Sequence, residues 1–128
     1  MTLSEKQQLF TVMVASLIHW AEEHGYRLTF GEAYRTPEQA ALNAKKGSGI
    51  TNSLHTQRLA VDFNLFVNGQ YKTDTTDYLP LGEYWESLGG TYHAVQRNAV
   101  ALFVYQIKLF EELQITFLLF NPFAQGFT

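Results

Sequence analysis

Two side chains in this chain have the types and spacing to do chemistry together: His55 and Asp62, in the stretch SLHTQRLAVDFN at 53–64. The run beginning at Leu59 alternates in character. In an extended segment successive side chains point to opposite faces, so Ala60, Asp62, Asn64 and Phe66 share one face. Val61, Phe63, Leu65 and Val67 share the other, which is wholly apolar and suits a core. Asp62 is therefore a carboxylate on the less buried face of a strand whose back is packed. His55 lies in the loop leading in, close enough along the chain to fold back beside it. An imidazole and a carboxylate held together are two of the three protein ligands a catalytic zinc usually has. Spacing alone also allows a hydrogen-bonded His–Asp pair, or two unrelated surface groups.

The elements that must position this pair follow from periodicity. Ser4 with Gln7 three positions on reads as a capping box opening a helix. Leu9, Phe10, Met13, Leu17, Trp20 and Ala21 recur at helical spacing, and Gly25 supplies a stop. His19 and His24, on or at the end of this helix, take a structural role. Tyr26–Tyr34 reads as a strand. Thr36-Pro37-Glu38-Gln39 then starts a second helix running to about Lys46, with Thr36 as N-cap and Pro37 at its first position. Arg35, just ahead of that N-terminus, is placed either to bind an anion or simply to pair with Glu32 or Glu38. Lys45–Gly49 is a flexible connector, without the order of glycines, lysine and hydroxyl that a phosphate loop needs. Asn68-Gly69 signals a type I′ hairpin turn returning through Gln70–Thr73. Pro80–Leu88 reads as a short helix that carries Trp85 into the core and ends at Gly89-Gly90.

Composition narrows the function classes. The 128 residues suffice for a single domain, and a 46% hydrophobic, 15% aromatic content argues against disorder. Net charge is −3 with no long basic run, which argues against nucleic acid as the main partner. There is no Cys, so disulfide scaffolds, thiol nucleophiles and Cys-ligated zinc are excluded. The polar N-terminal stretch lacks the build of a signal peptide, so the expectation is a product cytoplasmic as synthesised that reaches any cell-wall substrate after release.

The pattern Ser53-x-His55-x-x-x-x-Ala60-x-Asp62 resembles the zinc-binding segment of the M15 metallopeptidases. These include D-alanyl-D-alanine carboxypeptidases and phage endolysins that cut between L-alanine and D-glutamate. The stretches GEAYRTPEQ at 31–39, KGSGI at 46–50 and PLGEYWESLGG at 80–90 match in order and spacing, so the likeness runs from about Leu3 to Gly90. It implies an α+β fold, with helices packed on a small antiparallel sheet whose open face carries zinc. It implies a zinc-dependent peptidoglycan peptidase of phage or prophage origin, cutting the stem peptide at L-Ala–D-Glu, with D-Ala–D-Ala as the next choice. His55 and Asp62 would hold zinc, and Arg35 and Ser53 would orient substrate. The expected partner is the peptidoglycan stem peptide, bound by a monomer with no membrane span.

After Gly90 the chain departs from the family. The family's closing segment, typically Asp-Gly-Asn-His, carries the third zinc ligand and the general base. Here no His follows His93 and no Asp follows Asp77. His93 is the imidazole left as third ligand, with Glu83, Glu86 or a tail Glu as base. The alternative is a catalytically inactive or degenerate prophage product that at most binds cell-wall peptide, and a change of reading frame after Gly90 would produce one. Residues 91–128 form a divergent tail. Ala94–Leu113 fits one amphipathic helix of mixed faces and Ile115–Phe120 fits a strand, neither shaped for this core.

Overall fold

Thr2, two residues earlier than the Ser4 of the capping box the sequence suggests, closes the N-terminus of the first helix. Its Oγ1 accepts from the Glu5 amide at 3.1 Å, and α1 runs Leu3–Glu23. Thr2-x-x-Glu5 satisfies the same geometric need, and being further upstream it captures the first turn. The computed structural model describes residues 1–47, 53–95 and 100–105. Within them follow β1 (Tyr26–Phe30), α2 (Pro37–Lys45), a 3-10 turn (Leu54–Gln57), β2 (Ala60–Val67) and β3 (Gln70–Lys72). A second 3-10 turn (Thr75–Tyr78) leads into α3 (Leu79–Ser87), and β4 (Thr91–Val95) and β5 (Val100–Val104) complete the order. This is an α+β arrangement with one antiparallel sheet.

β2 is the centre of that sheet. β1 pairs along one edge, from Tyr26↔Val67 to Phe30↔Phe63. The other edge is shared: β5 takes Ala60–Phe63, β3 takes Leu65–Val67, and β4 lies outside β5. Asn68 and Gly69 have φ of 52° and 78°, the left-handed pair a type I′ turn requires, and so return the chain into β3.

The alternation in β2 holds from Val61 to Phe66, while at the ends Ala60 is buried as well and Val67 is half-buried. Val61, Phe63 and Leu65 are buried against Leu9, Phe10, Met13 and Leu17 of α1 and Leu81 and Trp85 of α3. Trp85 is fully buried, edge-on to Phe10 and Phe103, and donates from Nε1 to the Val104 carbonyl at 3.1 Å. A Cβ on Gly90 would collide with that indole, so the chain can leave α3 here only as glycine.

Two expectations need correction. β1 stops at Phe30, because Gly31 and Glu32 turn aside to bond the Asp62 backbone. The segment after Gly90 is no helix where it is described: Thr91–Val95 and Val100–Val104 are paired strands. Nor is it foreign to the core, since Phe103, Val104 and Tyr105 are buried. The run VALFV is rich in β-branched and aromatic residues, and the free edge of β2 beside Ala60–Phe63 offers it hydrogen-bond partners. The expected Ile115–Phe120 strand, Glu111, Glu112 and the Ser48–Gly49 part of the connector lie outside the described residues. Among the described residues no helix is long and apolar enough to cross a membrane.

Candidate metal centre

His55 reaches the site from a one-turn helix. Ser53 is its N-cap: the buried Ser53 Oγ accepts from the His55 amide at 3.2 Å. Arg58 ends the turn in the left-handed region (φ 57°), its guanidinium 3.9 Å from the Tyr34 ring centroid, and so aims the chain into β2. Ser53, which the sequence suggested as a substrate contact, thus has a hydrogen bond that fixes the His55 backbone. Seven residues on, Asp62 stands on the open face of β2, as alternation requires.

The segment between β1 and α2 is laced to both. Gly31 donates to the Asp62 carbonyl at 2.8 Å, the Asp62 amide donates to the Glu32 carbonyl at 2.9 Å, and the Arg35 amide donates to the His55 carbonyl at 3.2 Å. Gly31 lies so close that an added Cβ would stand 3.0 Å from Asp62 Cβ. These backbone bonds bring Glu32 and Arg35 to the imidazole. Arg35 Nη2 pairs with Glu32 Oε1 at 2.5 Å, one of the two simple pairings its sequence neighbours allowed.

His55 is only 4% exposed and stands between two carboxylates. Its Nε2 is 3.4 Å from Asp62 Oδ1 and its Nδ1 is 3.8 Å from Glu32 Oε1. One ligand atom each from Glu32, His55 and Asp62 lie within 4.8 Å of one another, which is room for a metal ion. The Nε2–Oδ1 separation tests the fit. A zinc about 2.1 Å from both atoms would see that 3.4 Å gap at roughly 108°, close to the tetrahedral angle. The donor types fit as well, since imidazole with carboxylate oxygen suits zinc among other divalent cations.

His93 is not part of this group. It is exposed on β4, where the register runs His93↔Leu102 and Leu102↔Asp62. It shares a row with Asp62 but lies two strand spacings away, about 9–10 Å between backbones. Of the expected bases, Glu83 is exposed and Glu86 is exposed, both on α3, which packs on the other side of the sheet. Sequence reasoning had Glu32 only as a partner for Arg35. The available signal was Gly31, whose lack of a side chain permits the close crossing beside Asp62.

Comparison of the chain with family models, curated proteins and solved structures finds no match. The arrangement itself is what defines a class here: an α+β domain with a His–Asp pair at chelating distance on the open face of its sheet.

Proposed function

We propose that the protein is a zinc-dependent peptidase of the M15 type, hydrolysing the peptidoglycan stem peptide at the L-Ala–D-Glu bond. The observation that carries this reading is the 3.4 Å approach of His55 Nε2 to Asp62 Oδ1, within the Ser53-x-His55…Asp62 pattern. His55 and Asp62 would hold the ion, which when bound polarises a carbonyl and lowers the pKa of a coordinated water. The chain's own part is positional. β2 and the Ser53-capped turn hold the two ligands, and Arg35 lies on the same rim, its Nε buried without a hydrogen-bond partner and able to turn to a substrate carboxylate or oxyanion.

A second reading has its own observation. His93 stands outside the group, so among the described residues no second imidazole joins His55. Two ligands hold zinc weakly. This favours a chain that binds cell-wall peptide without cutting it.

Zinc titration of the purified protein separates the two, alongside release of new amino termini from isolated peptidoglycan. Zinc retained at one per chain, lost in His55→Ala and Asp62→Ala, with wall cleavage, supports the peptidase. Zinc binding without cleavage supports the inactive reading. No zinc binding overturns the metal centre.

A further inference from the structure

His55 has two ring nitrogens and a carboxylate opposite each, and the two carboxylates are not equivalent. Asp62 stands at the separation a shared metal needs. Glu32 approaches the other ring nitrogen, its Oε1 3.8 Å from Nδ1. A neutral imidazole that gives one nitrogen to a metal carries its proton on the other. Buried, that N–H needs an acceptor. His55 Nδ1 is buried and has no hydrogen-bond partner, and the same is true of Glu32 Oε1, whose approach to Arg35 is an ion pair without hydrogen-bond geometry. A donor site and an acceptor atom thus face one another, each unsatisfied, less than 1 Å beyond hydrogen-bond range.

We propose that Glu32 is the positioning residue of this centre, accepting the Nδ1 proton of His55 and so holding the tautomer whose Nε2 faces Asp62 and the metal. This rests on the reading that His55 and Asp62 bind a divalent cation. Glu32 is suited to the role because its own position is set independently of the ring. Its carbonyl is bonded to the Asp62 amide, and its carboxylate is anchored by Arg35, whose backbone is bonded to His55. The 3.8 Å separation lies between two side-chain atoms and exceeds a hydrogen bond by a few tenths of an ångström. Metal ligation at Nε2 supplies the drive, because it commits the proton to Nδ1. Outer carboxylates of this kind are worth about 10–100-fold in metal affinity.

The test uses the full chain, zinc and cobalt(II), with thermal melts confirming that each variant folds. Glu32→Ala is expected to lower zinc affinity about 10–100-fold, and Glu32→Gln, which keeps an acceptor oxygen, to lower it less. Saturated with cobalt, Glu32→Ala is expected to show the wild-type visible spectrum, since the ligands are unchanged. In the zinc-loaded wild type the Nδ1 proton of His55 is expected as a slowly exchanging, downfield NMR signal that disappears in Glu32→Ala. Affinity unchanged in Glu32→Ala overturns the proposal while leaving the metal centre standing. A changed cobalt spectrum also overturns it, by making Glu32 a ligand. Absence of zinc binding by the wild type is a different failure, which removes the metal reading and this proposal together.

Discussion

The two faces of β2 use the same eight residues for opposite purposes. On one face Val61, Phe63 and Leu65 are at most 2% exposed and pack against α1 and α3. On the other, Asp62 and Asn64 are only half-buried, and Asp62 faces His55 across 3.4 Å. The closed face makes no chemistry and the open face adds little stability. Yet the open face depends on the closed one: a carboxylate can be held at chelating distance because the residues on either side of it are locked in the core. The comparison teaches that rigidity and reactivity are separated by one residue, through the period of the strand.

Breaking the closed face should have the largest effect. Phe63→Ala removes a ring packed against Phe30 and Phe103 and is expected to cost about 3–5 kcal/mol, read by denaturant unfolding. Its metal affinity, measured on the folded fraction, should change far less than that of Asp62→Ala. Equal losses in both would mean that the faces are not separable.

A smaller loss is expected from Tyr78→Phe. Tyr78 is fully buried, accepts from the Leu65 amide at 3.1 Å and donates to the Lys72 carbonyl at 3.0 Å. Losing the hydroxyl strands the Leu65 amide on β2, at about 1–3 kcal/mol. Burial also pushes this phenol above its ordinary value of 10.0, as it does for Tyr84, Tyr92 and Tyr105. The folded chain therefore keeps protons that the unfolded chain gives up first. The contribution is fully present below the unfolded value of 10.0 and is lost as pH rises through the higher folded values. Alkaline unfolding of Tyr78→Phe should show a shallower pH dependence than the wild type.

The smallest effect sharpens the comparison from the open side. Gly31→Ala would put its Cβ 3.0 Å from Asp62 Cβ, so Asp62 must yield by a few tenths of an ångström. The expected result is a loss of about tenfold in zinc affinity, roughly 1.4 kcal/mol, with stability within about 1 kcal/mol of wild type. A normal affinity would show that the centre tolerates displacement of its carboxylate.

Much of the fold was readable without coordinates. Helix caps, the Asn68-Gly69 turn and the two-residue period of β2 are local: each is decided by sterics and hydrogen bonds within a few residues. Thr36 does cap α2, its Oγ1 3.1 Å from the Gln39 amide, and Trp85 does enter the core. The tail was misjudged because VALFV has no helical period to read, and its strand character emerges only once β2 presents an open edge. His93 invited a ligand role by elimination, yet no local signal states which strand will lie between it and Asp62.

By itself, the sequence determined that Asp62 would stand on the face opposite Val61 and Phe63, and that His55 would lie in the loop leading into that strand. Tertiary structure alone decided that Ser53 caps the turn carrying His55, that Glu32 joins the pair and that His93 does not. The reason is physical. Side-chain alternation and capping act over a few residues, whereas the crossing of Gly31 against Asp62 and the pairing of β5 with β2 join segments thirty or more residues apart through backbone hydrogen bonds, which look the same for every residue type.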